Sequence, residues 1–111
     1  MQISVRLNRD LEEFIRTYSK INGTSVSTSI RELLHYFKLI VALLNGFEEL
    51  RKIVKDNVVY ENGNGMKVNV TLNNSDIEFL DNIAKILKTN RSTALRFCIS
   101  SLYYILMYSV H

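Results

Sequence analysis

The sequence predicts a mostly α-helical protein with short β-ribbons, in which two strand-helix-helix motifs follow one another and are joined by a short helical connector. Three observations lead to this prediction. Six-residue segments with alternating polar and apolar side chains occur twice, and apolar residues recur at helical spacing after each of them. The two regions also resemble each other: residues 2–44 align without gaps with residues 67–109, and twelve of the 43 aligned pairs are identical.

The internal repeat divides the chain into three parts. Residues 1–44 form the first motif, residues 67–111 form the second motif with an apolar C-terminal helix, and residues 45–66 form the connector. Within the connector, the segment from Phe47 to Asp56 has the apolar spacing of a short amphipathic helix, and residues 61–65 form a turn rich in Gly and Asn. The connector carries a net charge of −1 and each motif carries +2, so the positive charge lies in the motifs.

Each predicted strand has one apolar face and one polar face. A six-residue strand cannot satisfy its own backbone, so it needs a second strand, which the repeat supplies either in the same chain or from another copy. The apolar residues are Ile3, Val5 and Leu7, and Val68, Val70 and Leu72. The polar face has no acidic residue and carries Gln2, Ser4, Arg6, Lys67, Asn69 and Thr71.

The first helix of each motif is predicted from a capping box and an apolar stripe. The box is Ser75 to Glu78 in the second motif and the weaker Asp10 to Glu13 in the first. Gly23 suits a left-handed helix end, whereas the second motif has Lys88 there, so we expect a different exit. The predicted stripe is Phe14, Ile15, Tyr18 and Ile21, matched by Phe79, Leu80, Ile83 and Ile86.

The second helix of each motif is predicted to begin after Ser25 or Asn90, both of which are good N-caps. Cys98 falls on its apolar stripe and is expected in the core, and His35 is expected to be packed or at an interface. For Arg31 and Arg96, one turn into these helices, a solvated position and a phosphate contact are equally compatible with the sequence. The C-terminal segment LYYILMYSV is apolar on nearly every side, which predicts burial between subunits or against the connector helix.

The amino-acid composition and net charge exclude several classes of protein. The net charge of +3 is compatible with a polyanionic partner. The single cysteine excludes an internal disulfide framework and fits a reducing compartment. No apolar run approaches the roughly 18 residues of a membrane span, and the first residues read as a strand and not as a signal peptide, so we expect a cytoplasmic protein without membrane contact. The sequence offers no acid–base pair, phosphate-binding glycine loop or metal-ligand cluster, so neither an enzyme nor a cofactor is predicted.

Both motifs resemble a known family. The segments KVNVTL, SDIEFLDNIAKIL and TNRSTALRFCI are similar to the ribbon-helix-helix motif of Arc/MetJ-type transcription regulators, and the first motif matches through ISVRLN, DLEEFIRTYSKING and SVSTSIRELL. The resemblance covers both motifs and leaves residues 45–66 outside it. The first motif departs from the pattern, because Val26 stands where the second has Arg91. Tandem forms of this kind resemble regulators of archaeal viruses and plasmids, which implies the host cytoplasm if the protein is viral.

The resemblance implies a sequence-specific regulator that inserts a two-stranded antiparallel ribbon into the major groove of double-stranded DNA. Base contacts would then come from the polar strand face: Gln2, Ser4, Arg6, Lys67, Asn69 and Thr71. The N-termini of the second helices would clamp phosphates. The residues carried over for that role are Ser25, Ser27, Thr28, Asn90, Arg91, Ser92 and Thr93.

Several alternatives remain open at this point. The polar strand face could be a solvated sheet surface. An architectural protein that coats DNA is the second functional interpretation, and an antitoxin that binds a protein partner is a weaker third, because the chain has no polar tail. The repeats could pair within one chain, or like could pair with like between two chains. We expect a homodimer or higher oligomer, and no small-molecule effector pocket is evident in the sequence.

Overall fold

The computed structural model describes residues 1–54 and 64–109. It has two strands, each followed by two helices, as the sequence predicts. The predicted end of the connector helix at residues 55–56 and the start of the predicted turn at residues 61–63 lie outside the described residues. The elements are β1 (Gln2–Arg6), α1 (Arg9–Asn22), α2 (Val26–Leu43), α3 (Phe47–Val54), β2 (Lys67–Thr71), α4 (Asn74–Leu87) and α5 (Arg91–Ser109).

The two strands pair with each other in antiparallel orientation within one chain. Of the two arrangements that the sequence leaves open, the structure of the single chain has the one in which the two repeats pair in cis. The ladder is extended at one end, where the Leu7 amide donates to the Met66 carbonyl (2.9 Å) and the Gly65 amide donates to the Leu7 carbonyl (2.7 Å). Gly65 is required there, because a Cβ at this position would lie 2.8 Å from the Leu7 carbonyl oxygen.

The two motifs share one core, and each second helix packs on the strand of the other motif. Helix α2 contacts β2, helix α5 contacts β1, and α2 and α5 pack against each other. The apolar strand face closes this core from one side, with Val5, Leu7, Val70 and Leu72 almost fully buried. The ribbon is thus held by helices from both halves of the repeat, which exposes its polar face on the opposite side.

The N-caps of the first helices lie two residues before the predicted capping boxes, at Asn8 and Asn73. The Asn8 side chain accepts from the Leu11 amide (2.9 Å), and the equivalent Asn73 accepts from the Asp76 amide (2.8 Å). Asn is as good an N-cap as Asp or Ser. The capping-box prediction was therefore wrong in position, and the identical Asn pair of the repeat marks the true helix starts.

The exits of the first helices are built in the same way, contrary to prediction. Lys88 adopts the left-handed conformation (φ 58°) that Gly23 adopts in the first motif (φ 65°). A side chain in this conformation costs about 1 kcal/mol. The second motif tolerates that cost because the Lys88 amide still donates to the carbonyl of Lys85 (3.3 Å) and closes the helix.

The predicted apolar stripe of α1 is confirmed at Ile15, which is buried, and at Phe14 and Tyr18, which pack against the core, but it is wrong at Ile21. Ile21 is 78% exposed, whereas Leu11, Ile15 and Ser19 form the buried row. A serine can occupy this row because its hydroxyl donates to the Ile15 carbonyl (2.8 Å) and bonds the Ser29 hydroxyl (2.6 Å). In α4 the predicted stripe is confirmed at Leu80 and Ile83, which are buried, and it is wrong only at Ile86, which is 38% exposed.

The apolar C-terminal segment is buried on one side only. Leu102 is buried as predicted, but Leu106 and Met107 are 46% and 47% exposed. Within one chain these two side chains are therefore uncovered, and the predicted burial of this part of α5 between subunits stays a prediction. Cys98, one turn before Leu102, is fully buried as predicted, and burial raises the pKa of its thiol. None of the helices among the described residues is long and apolar enough to cross a membrane.

Candidate nucleic-acid interface

The six polar strand residues lie on one face of the ribbon, directly opposite one another in pairs. Gln2 faces Thr71, Ser4 faces Asn69 and Arg6 faces Lys67. Five of the six are exposed, and Ser4 is half-buried because its hydroxyl donates to the Asn69 side-chain carbonyl (2.6 Å). The predicted base-contact residues are therefore brought together on one surface.

The charge on this face is concentrated at one end. Arg6 and Lys67 are its only charged residues, and they stand opposite each other in the register. Like charges directly opposite in a ribbon are destabilising. The Arg6 guanidinium reaches back to the Gly65 carbonyl (3.2 Å), and both side chains remain exposed to solvent. This end of the polar ribbon face therefore carries two positive charges, and no acidic side chain lies beside them on the same face.

The N-termini of α2 and α5 meet the ribbon from its two sides. The Ser27 hydroxyl donates to the Asn69 carbonyl of β2, and the equivalent Ser92 hydroxyl donates to the Ser4 carbonyl of β1. These crossed bonds fix each helix start against the strand of the other motif. Both hydroxyls are used inside the protein, so an anion at these sites would meet backbone amides and the helix dipole instead.

The predicted caps are confirmed at both helix starts. The Ser25 hydroxyl accepts from the Thr28 amide (3.1 Å), and the Asn90 side chain accepts from the Thr93 amide (2.8 Å). Ser25 and Asn90 are exposed, whereas Thr93 is only 9% exposed. The predicted phosphate-contact residues therefore gather at the two ribbon edges, but the Thr93 side chain is covered.

Arg31 and Arg96 hold the ends of the strands. The Arg31 guanidinium donates to the Thr71 carbonyl (3.5 Å), and the equivalent Arg96 donates to the Arg6 carbonyl (3.0 Å). Arg96 is 6% exposed, and its burial lowers the pKa of the guanidinium. A solvated position is therefore wrong for Arg96, which instead anchors α5 to the far end of β1.

Arg91 is engaged in a bidentate ion pair on the second-motif side. Its Nε and Nη2 atoms donate to the two carboxylate oxygens of Asp81 at 2.8 and 2.9 Å. These hydrogen bonds lower the pKa of Asp81 and raise the pKa of Arg91. The first motif has Val26 at the equivalent position, so it lacks a counterpart of Arg91 for this ion pair.

A polar cluster that the sequence did not indicate lies beside the ribbon. The Asp76 carboxylate is 2% exposed and pairs with the Lys38 ammonium (2.9 Å), which also lies over the Phe79 ring (5.6 Å to the centroid). His35, expected to be packed or at an interface, has a side chain that is 61% exposed in the single chain and lies 3.6 Å from Asp76. The signal was present in the alignment, because Asp76 stands where the first motif has the core residue Leu11.

A cavity of about 760 Å³ opens next to this cluster, between α2, the end of β2 and the start of α4. Its walls include the side chains of Arg31, His35 and Asp76. No group of three or more His, Cys, Asp or Glu residues in residues 1–54 and 64–109 is arranged to hold a metal ion.

Comparisons of the chain with protein-family models, with curated proteins and with solved structures found no match.

Proposed function

We propose that this protein is a sequence-specific, double-stranded-DNA-binding transcription regulator that inserts its ribbon into the major groove. The observation that carries the proposal is the paired polar face of the ribbon, which presents Arg6 and Lys67 side by side without an acid. Opposed cations weaken an isolated ribbon, and a bound polyanion would remove that cost. If the polar strand face were only a solvated sheet surface, nothing would offset the repulsion between Arg6 and Lys67.

The shape and chemistry of the ribbon agree with this role. The major groove admits a two-stranded ribbon, and Arg, Lys, Asn, Gln and Thr are the side chains that read base edges there. The starts of α2 and α5 flank the ribbon, where their dipoles favour phosphate groups. The resemblance of both motifs to ribbon-helix-helix regulators supports the same assignment.

Pairing in cis has a consequence for the DNA site. The reading face combines Gln2, Ser4 and Arg6 from β1 with Lys67, Asn69 and Thr71 from β2. The two strands are not identical, so one ribbon would read a subsite that is not its own reverse complement. A ribbon made from two copies of one strand would instead favour a palindromic subsite.

The proposal is tested by the fluorescence anisotropy of labelled duplexes selected for binding. Arg6→Ala is expected to relax sequence choice, at a cost of about 1–3 kcal/mol at one base pair. Lys52→Ala is the matched control, because it removes the same charge from an exposed position on α3, which packs on α2. Equal effects of the two variants would count against base reading by the ribbon.

An architectural protein that coats DNA is the second candidate. The observation in its favour is the apolar surface on the C-terminal halves of α2 and α5, where Leu39 and Leu106 are 56% and 46% exposed. Such a surface could join neighbouring molecules along a duplex. Binding that is tight and salt-sensitive but shows no sequence enrichment would favour this candidate over a site-specific regulator.

A further inference from the structure

An arginine side chain lies at the start of each strand of the ribbon. The Arg91 Nη1 atom donates to the Met1 sulfur (2.9 Å), and the Arg16 Nη2 atom donates to the Met66 sulfur (3.1 Å). Met1 directly precedes β1 and Met66 directly precedes β2, and the repeat that aligns residue 2 with residue 67 makes these two methionines equivalent. The two guanidinium groups therefore take equivalent places at the two ends of the ribbon.

The two arginines reach these places from different helices. Arg91 is the first residue of α5, whereas Arg16 lies in the middle of α1. In the alignment of the two repeats, Arg91 corresponds to Val26 and Arg16 corresponds to Asp81. The first motif thus lacks a cation at the start of its second helix, and its first helix supplies one in the same place.

The Arg16 guanidinium is held in place by weak contacts. Glu12 fixes α1 against the start of β2, because one of its carboxylate oxygens accepts from the Met66 amide (3.3 Å). Its other oxygen lies 3.6 Å from the Arg16 Nε atom, which is too long for a hydrogen bond. The Arg16 side chain is 57% exposed and the Glu12 side chain 30%, so the arginine is the outer member of this pair. Because a thioether sulfur is a weak acceptor, the guanidinium keeps donors for an anion from solution.

The two ends of the ribbon differ in how far acidic side chains offset the arginine charge. At the start of β1, Asp81 accepts two hydrogen bonds from Arg91. At the start of β2, Arg6 and Lys67 form the last pair of the register, and Arg16 lies beside them through its contact with the preceding methionine. Three cations therefore gather at the end of the ribbon where β2 begins.

We propose that Arg16 contacts the phosphodiester backbone of double-stranded DNA beside the start of β2. This inference rests on the proposed DNA binding and adds to it a contact made by α1. The alternation of the strand places Met66 on the apolar side and Lys67 on the polar face, so Arg16 lies at the flank of the ribbon and not on its reading face. A side chain at the flank of a ribbon in the groove meets phosphates, to which arginine donates charge-assisted hydrogen bonds.

The test is a salt titration of binding, measured by fluorescence anisotropy on a duplex selected for binding and on an unrelated duplex. Arg16→Ala is expected to weaken binding to both duplexes alike and to flatten the slope of log K against log salt concentration by about 0.9. The advantage of the wild-type protein is then about threefold larger at about 50 mM salt than at about 200 mM. Lys52→Ala is the matched control, because it removes a charge from a side chain that is 73% exposed on α3, which packs on α2.

A double variant separates the position of the charge from the role of Arg16 within α1. Val26→Arg combined with Arg16→Ala returns an arginine to the same edge of the ribbon from α2, as in the second motif. We expect this variant to recover the salt slope of the wild-type protein, which it would not do if Arg16 acted only on the structure of α1. Circular dichroism melts establish that each variant is folded.

The outcomes separate this inference from the proposed function. A slope for Arg16→Ala equal to that of Lys52→Ala would overturn the inference and leave DNA binding in place. A loss confined to the selected duplex would also overturn it, because Arg16 would then read bases. The same holds for a folded double variant whose slope stays as low as that of Arg16→Ala. Failure of the wild-type protein to bind either duplex would overturn the proposed function together with this inference.

Discussion

The ion pair between Lys38 and Asp76 joins the two motifs, and we expect it to be a main determinant of their pairing in cis. In the alignment of the two repeats, Lys38 corresponds to Tyr103 and Asp76 corresponds to Leu11. The Tyr103 ring packs on the Phe14 ring, with 5.4 Å between the ring centroids. One side of the molecule therefore has a charged contact where the other has an apolar one. In a like-with-like assembly, Lys38 would face the apolar Leu11 of a second chain.

The predicted perturbation is Lys38→Met, which keeps the apolar stem and removes the charge. Losing one partner of a buried ion pair costs about 3–5 kcal/mol. Lys38 is 28% exposed, which weakens the pair through solvent screening. Asp76 also keeps the N-terminus of α4 as a partner, worth about 1 kcal/mol. We therefore expect a loss of about 2–3 kcal/mol, since Asp76 itself stays 2% exposed.

Thermal unfolding followed by circular dichroism measures this effect. A loss of this size lowers the Tm of a domain of about this length by roughly 10–15 °C. Lys52→Met is the matched control, because Lys52 pairs with Glu49 (3.4 Å) on the surface, and exposed pairs contribute at most about 1 kcal/mol.

A double variant separates the pair from its individual charges. Lys38→Tyr combined with Asp76→Leu copies the residues of the other half, and an apolar replacement of a buried pair is often neutral or stabilising. We expect its Tm to return close to the wild-type value. The reasoning would be refuted if Lys38→Met lowered the Tm no more than Lys52→Met does.

Three further predictions concern the ribbon and its edges. Gly65→Ala is expected to lower stability by about 1–3 kcal/mol in urea unfolding, because its Cβ would meet the Leu7 carbonyl at 2.8 Å; unchanged stability would contradict this close approach. Lys88→Gly should raise stability by about 1 kcal/mol by relieving the left-handed side chain, and a loss would mean that the lysine makes compensating contacts. Asp81→Asn should free Arg91, tighten binding to duplexes of all sequences and steepen the salt dependence by up to about 1. A sequence-selective change would show that Arg91 does not face phosphate.

Much of the fold could be predicted because the strands and helix starts are local features. The alternation in each strand placed Arg6 and Lys67 on the polar face, and Ser25 and Asn90 were recognised as caps from residue type alone. The starts of α1 and α4 were misplaced because Asn8, like its equivalent Asn73, lies before an acidic stretch that also resembles a capping box. The sequence alone does not show which of two nearby N-cap candidates is used, because that depends on the backbone conformation at the helix start.

The choice of pairing in cis could not be predicted from the strands. Their apolar faces are interchangeable, so each strand fits either partner. The discriminating residues lie in the helices, where Lys38 and Asp76 replace an aromatic and an apolar residue of the other motif. Each looks like an ordinary surface charge in its own helix, and their complementarity is visible only when the two helices are known to touch.

The side of the molecule on which α3 packs could not be predicted from the sequence either. The amphipathic pattern from Phe47 onward predicted a helix, but it did not say which half of the molecule the helix would cover. That depends on the direction in which the chain turns after α2, at Asn45 and Gly46, both of which have positive φ.

The central claim is that the polar ribbon face reads a DNA site asymmetrically, and selection from random duplexes tests it most directly. We predict enrichment of a short motif that is not its own reverse complement, because Gln2, Ser4 and Arg6 stand opposite Thr71, Asn69 and Lys67. Two such subsites could recur at a fixed spacing if the protein binds as a dimer. Failure to bind any duplex at low salt would contradict the account, because it would leave the paired cations of the ribbon without a nucleic-acid partner.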